Sequence, residues 1–215
     1  MSADQTVADE KLYVYGVVED EGVDVSTPGV EAASDVYTIS HRRHAAVVSD
    51  IDTLDPDESD ENARAHDDVL REVMTAGDGR PVVPMRFGMV FDSERALKNV
   101  LRNSRVELTG SLRQAVDREE VGIKVLVPED GLADPEEARA SIEAELDERA
   151  EDVEDGDLFS DRLLLNRAYL VARGRRGRFD DAVDAVREAY PELTVQYSGP
   201  WAPYSFVDFT IATEA

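Results

Sequence analysis

The sequence predicts an α+β protein of two domains, a mixed α/β domain in residues 1–118 and a modified ferredoxin-like domain in residues 119–215. Three observations support this prediction. Short apolar runs rich in β-branched and aromatic residues alternate with segments of helical periodicity. The 215-residue chain is 42% hydrophobic, enough for two cores. Near Arg118 a long helical pattern ends and a strand pattern begins.

The first domain is expected to begin with a strand at residues 12–18, the apolar run LYVYGVV. Two more strands are predicted at residues 36–40 and 45–51, joined by a basic turn of sequence HRRH at positions 41–44 and followed by an acidic loop. A helix is predicted over residues 61–76, because apolar side chains recur there at helical spacing, and glycines then end it. The residues that carry this spacing are His66, Val69, Leu70 and Val73.

The rest of the first domain combines an irregular strand with a long helical region. Residues 81–91 form the strand pattern PVVPMRFGMVF. Pro81 and Pro84 cannot donate to a sheet ladder, which favours an edge position or a bulge. Ser93 is the predicted N-cap of the helical region, which continues to Ala115 and is expected to bend or split at residues 109–110.

The second domain should contain four strands and two helices. Strands are predicted at residues 120–127 and 163–171, followed by alternating patterns at 193–197 and 207–211. A helix opens at Asp134, which precedes a proline at the first helical position, and a second helix carries apolar residues from Phe179 to Tyr190. The order β-α-β-α-β-β indicates a ferredoxin-like sandwich with one strand added or rearranged.

The net charge of the chain indicates the salt concentration to which the protein is adapted. The formal net charge is −25, and only three of 23 basic residues are lysine. Such a surface repels itself in dilute buffer, and the repulsion is screened in molar salt. We interpret this acidity as halophilic adaptation. It argues against nucleic-acid binding, which depends on clustered cations that release counterions from phosphates.

Composition and termini exclude further classes. Cysteine is absent, which excludes disulfides, thiolate metal sites and cysteine nucleophiles. No apolar run approaches the roughly 18 residues of a membrane span. The first ten residues are polar and acidic, unlike a signal peptide, so we expect a cytoplasmic protein.

No motif identifies an active site. The sequence lacks a nucleophile elbow, a phosphate-binding P-loop and a dinucleotide fingerprint. His41 and His44 with the acidic loop could ligate a divalent cation, but we interpret them as an exposed turn. His66 lies on an apolar helix face and is expected to be a core-edge residue. We therefore predict no catalytic, cofactor-binding or metal-binding residues.

Two features could bind a partner. Residues 173–178, RGRRGR, concentrate Arg173, Arg175 and Arg176 between a strand and a helix in an otherwise acidic chain. We favour a flexible turn that neutralises nearby carboxylates over an anion or acidic-partner site. Residues 81–91 and 198–209 are rich in proline, glycine and aromatics, which close domain cores but also occur at protein-binding surfaces.

The ordered set LYVYGVV, VVPMRFGMVF and GPWAPYSFV resembles the gas vesicle protein F/L family, and the length and acidity resemble its F-type haloarchaeal members. The resemblance implies an accessory protein without enzymatic activity or cofactor. It also implies two α+β domains and partners that include the small hydrophobic shell protein and other gas vesicle accessory proteins. Motif residues that could contact partners are Arg86, Phe87, Trp201 and Tyr204.

The resulting hypothesis is a chaperone-like protein that covers the apolar face of the shell subunit, through its first domain, during assembly of the buoyant organelle. It would be cytoplasmic and associated with the gas vesicle. One alternative is a minor structural component of the vesicle wall. A second is a metal- or anion-dependent hydrolase that uses the acidic loop and the arginine run.

Overall fold

The computed structural model describes residues 11–19, 22–77 and 79–207, and these divide into two units. The first unit runs from the first described residue to Val116 and includes Val207, whereas the second comprises Asp117–Phe206. The sequence predicts the domain division at residue 118.

The first unit is built on an antiparallel sheet of five strands: β1 (Lys11–Glu19), β2 (Val36–His41), β3 (His44–Ile51), β4 (Val83–Pro84) and β5 (Val90–Phe91). The strand order is β2-β3-β1-β4, and β5 also pairs with β1. β1 is central, so its uninterrupted apolar run is buried on both faces. The predicted hairpin of β2 and β3 is confirmed, with His41 paired opposite His44.

Three helices pack with this sheet: α1 (Asp60–Thr75), α2 (Glu94–Asn103) and α3 (Arg105–Ala115). The hydroxyl of Ser93 accepts a hydrogen bond from the Ala96 backbone, which confirms the predicted N-cap. The predicted break at residues 109–110 is wrong, since Gly110 stays helical. The break lies at Ser104, whose ψ of 15° departs from helical geometry.

The second unit contains an antiparallel sheet of four strands: β6 (Arg118–Leu126), β7 (Asp152–Asp155), β8 (Leu163–Ala172) and β9 (Thr194–Trp201). Their order across the sheet is β7-β8-β6-β9. Two helices, α4 (Pro135–Asp147) and α5 (Arg176–Ala189), supply the other layer. The predicted cap of α4 is confirmed, because the Asp134 carboxylate accepts from the Glu137 backbone.

The element order of the second unit, β-α-β-β-α-β, is that of a ferredoxin-like fold. This corrects the predicted order β-α-β-α-β-β. β7 was missed because its sequence, DVED, contains a single apolar residue. The strand predicted at residues 207–211 lies outside the described residues except for Val207, which is in no strand. The predicted α+β class is confirmed.

Each unit has its own hydrophobic core. In the first, side chains of β1 and β3 meet leucines of α2 and α3, including Leu101 and Leu112. In the second, β6 and β8 meet Ile142 of α4 and Phe179 of α5. The helical stripes predicted for α4 and α5 are buried as expected.

Candidate functional site

Residues 83–91, which we call the edge segment, border β1 on the side away from β3. The segment is two short strands, β4 and β5, separated by an irregular link. The Met85 backbone donates to the Tyr15 carbonyl, and the Val14 backbone donates to the Met89 carbonyl, both at 2.8 Å. Pro84 lacks an N–H group, and its edge position agrees with the sequence prediction.

A buried Tyr13–His66 pair supports the link between these strands. The Tyr13 hydroxyl oxygen lies 2.8 Å from Nδ1 of His66, and Nε2 of His66 lies 3.1 Å from the Met85 carbonyl oxygen. Because a carbonyl only accepts, Nε2 carries the proton and Nδ1 accepts from Tyr13. The Tyr13 oxygen in turn accepts from the Gly88 backbone at 3.2 Å. A continuous chain of hydrogen bonds therefore fixes both ends of the link.

The environment of His66 indicates a structural role and not a role in acid–base catalysis. Its side chain is 2% exposed, and both ring nitrogens have partners within the protein. Burial lowers the pKa of His66 to about 4, and the hydrogen bond to Met85 opposes the shift only in part. The ring is neutral at physiological pH and out of reach of a substrate. His66 thus lies inside the core and not at its edge as expected, because both ring nitrogens find partners there.

The side chains of the edge segment differ in exposure. Arg86 is exposed, whereas Phe87 is half-buried with its ring 5.9 Å from that of Tyr13 and 6.0 Å from that of His66. Phe87 thus anchors the link on the aromatic pair. Three more apolar side chains in the segment are only half-buried: Met89, Val90 and Phe91. The segment presents a partly exposed apolar strip at a sheet edge.

The second unit holds the other aromatic motif residues. Trp201 ends β9 and donates from its indole nitrogen to the Ser198 hydroxyl at 3.3 Å. Tyr204 lies in the turn that follows and is half-buried. The carboxylate of Glu120 accepts from the Ser205 backbone at 2.8 Å and from its hydroxyl at 2.9 Å. Burial raises the pKa of Glu120, and these two bonds offset that shift in part.

The arginine run forms a turn between β8 and α5, and one of its arginines neutralises nearby carboxylates, as predicted. Arg173–Arg175 form a 3-10 turn, and Arg176 begins α5. The Arg176 guanidinium binds carboxylates of Glu119 at 2.7 Å and Asp180 at 2.9 Å and stacks over the Tyr197 ring. Arg175 is exposed, and Arg173 is half-buried with Nε 3.4 Å from the Arg118 carbonyl oxygen. Ion pairing within the unit therefore holds the helix start in place.

The described residues offer neither a metal cluster nor a spanning helix. Within residues 11–19, 22–77 and 79–207, no three histidine or acidic side chains converge in a way that could hold a metal ion. His44 instead places Nε2 3.2 Å from the Thr109 hydroxyl. In the same ranges, none of the helices combines the length and apolar character that crossing a bilayer requires.

Sequence reasoning missed two contacts that shape these segments. The Tyr13–His66 bond joins residues 53 positions apart, and the Glu120–Ser205 bonds join residues 85 apart. Only for His66 was there a signal, a polar residue on an apolar helix face.

Comparisons with known proteins agree over most of the chain. The profile of the family described as gas vesicle synthesis protein GvpL/GvpF matches residues 11–139 and 131–208. Gas vesicle protein F of Haloferax mediterranei is 46% identical over 206 residues, which cover 95% of this chain and 97% of that protein. Gas vesicle protein F1 of Halobacterium salinarum is 44% identical over 205 residues, 95% of this chain and 96% of that protein.

Solved structures share the fold. The crystal structure of GvpF from an Anabaena species matches with a TM-score of 0.83 at 21% identity, covering 94% of this chain and 97% of that one. GvpF from Microcystis aeruginosa matches with a TM-score of 0.82 at 19% identity, covering 93% of this chain and 99% of that one.

Proposed function

The chain belongs to the gas vesicle GvpL/GvpF family, which is not a family of enzymes, and we propose that it is an accessory protein that binds the small hydrophobic shell protein during assembly. Membership of this family contradicts the alternative that the chain is a hydrolase. The proposal includes binding to other gas vesicle accessory proteins, and a cytoplasmic location in association with the vesicle.

A physical need motivates this activity. A subunit that forms a gas-filled wall exposes a large apolar face before assembly, and such a face drives aggregation in water. A partner with a net charge of −25 would keep the complex dispersed, since the like charges of neighbouring complexes repel one another. In this way the chain would deliver the shell subunit to a growing vesicle or nucleate a new one.

The main support for the proposal is the partly exposed apolar strip of the edge segment. Strips of this kind at a sheet edge suit an extended peptide, whose side chains pack on the strip while its backbone runs beside the edge. The strands β4 and β5 have two residues each, and β4 ends at Pro84, so they are too short to pair with another copy over a long stretch. The first domain, residues 1–118, would thus contact the shell protein, with Phe87 at the centre and Arg86 at the rim.

Residues of the second unit would contact other accessory proteins. Arg175 is exposed and Trp201 and Tyr204 are half-buried, so their side chains retain surface that a partner can cover. Aromatic side chains and arginine are enriched at such contacts. Arg173 would contribute its exposed part, while Arg176, held by its two ion pairs, would position the neighbouring arginines.

Co-expression with the shell protein tests this proposal. The wild-type chain should keep the shell protein in the soluble fraction in molar salt. A variant that charges the strip, Arg86→Glu with Val90→Glu, should lose this effect. The control Val106→Glu changes a valine that is 77% exposed on α3, and it should act like wild type. Equal precipitation of the shell protein with and without the wild-type chain would refute the proposal.

A further inference from the structure

The cations of the two units differ in their partners. In the second unit, most arginines bind carboxylates of the same unit, namely Arg118, Arg139, Arg149, Arg162, Arg167, Arg176 and Arg187. In the first unit, Lys98 pairs with Glu94. Eight exposed arginines of the first unit have no carboxylate at ion-pair distance within the described ranges, and five of them are Arg42, Arg43, Arg95, Arg102 and Arg105.

These five arginines lie near one another, and together with His41 and Lys98 we call them the basic surface. Arg42 and Arg43 form the turn between β2 and β3. α2 packs beside β2, and between them is a groove of about 500 Å³. The groove is lined by His41, Glu94, Arg95, Lys98, Asn99 and Arg102.

Helical spacing aligns the cations along this groove. Arg95, Lys98 and Arg102 follow one another at intervals of three and four residues, which places them on one face of α2. Arg105 begins α3, and the bond between Thr109 of that helix and His44 ties α3 to the hairpin. Burial lowers the pKa of His44 and Glu19 opposes the shift, while the nearby charges of Arg105 and Arg43 lower it further.

One polar atom at the groove is left without a partner. Nε2 of His41 is buried, and no hydrogen-bond partner for it occurs among the described residues. A buried polar group of this kind loses its hydration without compensation. A polar group that entered the groove could supply a partner for it.

We propose that the basic surface binds an acidic polypeptide segment of a partner protein. Carboxylates of that segment would bind Arg95 and Arg102 along the groove and Arg105 at its end. A guanidinium can bind a carboxylate through two parallel hydrogen bonds, and such bonds depend on contact geometry more than on long-range charge. This inference does not depend on shell-protein binding by the edge segment.

Charge around the groove favours a short acidic peptide over a nucleic acid. The chain as a whole carries −25, and Glu94 forms part of the groove wall. Duplex DNA presents about one phosphate charge per 1.7 Å, so it would extend past the groove over acidic protein surface. A peptide can place a few carboxylates on the arginines and end there.

The test measures binding of a fluorescein-labelled peptide of repeated Glu-Gly-Glu-Ser by fluorescence anisotropy in 1 M KCl, where the Debye length is about 3 Å. The wild-type chain should bind this peptide, and Arg95→Glu with Arg102→Glu should bind it about tenfold more weakly. The control Arg64→Glu with Arg178→Glu removes two other exposed arginines and makes the same charge change. It should bind within about twofold of wild type, because it leaves the groove intact.

Three further measurements make the test decisive. Thermal unfolding verifies that the variants are folded, and Arg95→Gln with Arg102→Gln replaces the reversal if that variant is not. The same peptide with glutamine for glutamate should not bind. The proposal is overturned if the wild type does not bind the acidic peptide, if both double variants lose equal affinity, or if oligothymidylate of equal charge binds more tightly than the peptide.

Discussion

The hydroxyl of Tyr13 donates to Nδ1 of His66 across 2.8 Å inside the core of the first unit. This bond connects the central strand β1 to helix α1. Through the Met85 carbonyl and the Gly88 backbone, it also fixes the link of the edge segment. The proposed binding strip therefore rests on a buried polar pair.

Removing the Tyr13 hydroxyl should destabilise the protein. In Tyr13→Phe, Nδ1 of the buried His66 loses its partner, which costs about 1–3 kcal/mol of unfolding free energy, and the Gly88 N–H loses a partly buried one. Denaturant unfolding measures the loss. Tyr37→Phe is the control, since the Tyr37 hydroxyl binds Asp50 in an exposed position at 2.8 Å, and it should cost less than about 1 kcal/mol. Equal losses in the two variants would contradict this role for Tyr13.

His66 should make stability depend on pH. Its pKa is about 4 in the folded protein and 6.5 in an unfolded chain, so the unfolded state binds the proton first. His66 therefore lowers the unfolding free energy as pH falls from 6.5 to about 4, by about 3 kcal/mol in total. The difference between wild type and His66→Phe, measured across this range, isolates the effect from other groups. A constant difference would show that His66 titrates normally.

Glu72 should stabilise the loop that precedes β2. Its carboxylate accepts from the Ser26 backbone and hydroxyl and from the Thr27 backbone at 2.8–2.9 Å. Hydrogen bonds from Thr27 and Ser26 lower the pKa of Glu72 to about 2. Its contribution is therefore present above pH 4.5 and is lost as pH falls toward 2.

Glu72→Gln should lower the unfolding free energy by about 1 kcal/mol at pH 7, since both carboxylate oxygens accept bonds here and glutamine replaces one of them with an NH2 group that cannot accept. Asp68→Asn, an exposed acid on the same helix, should change it little. An equal effect of both substitutions would indicate general charge relief instead of a specific contact.

Arg167 should stabilise the second unit in a salt-dependent manner. Its side chain is 12% exposed and lies within 3.2 Å of carboxylates of Glu143, Asp147 and Asp155. Arg167→Met leaves three acids near one another and should cost about 2 kcal/mol in dilute buffer. Molar salt screens the repulsion, so the loss should shrink there. Arg162→Met is the control, since that arginine pairs with a carboxylate that is 90% exposed. A loss unaffected by salt would contradict the electrostatic explanation.

Local patterns predicted most of the elements. The apolar runs of β1 and β8 and the capping residues Ser93 and Asp134 are signals within a few residues of one another, and each coincides with the element in the structure. β7 was not predictable in this way. Its acidic sequence becomes a strand because it pairs with β8, and that pairing is a tertiary interaction.

The candidate sites depend on contacts distant in sequence. The motif around Phe87 was visible, but its support by Tyr13 and His66 joins three separate segments. The HRRH turn was visible as well, yet its position beside the arginines of α2 follows only from the packing of that helix on β2. Spacing along one element therefore shows which side chains share a face, and packing shows which faces meet.

Hydrogen exchange of the full chain, alone and with the shell protein in molar salt, determines whether the edge segment of the first unit binds the shell protein. Amides of residues 85–91 should exchange more slowly in the complex, and the protection should be lost in Arg86→Glu with Val90→Glu. Protection confined to Asp117–Phe206, with residues 85–91 unchanged, would contradict binding by the edge segment.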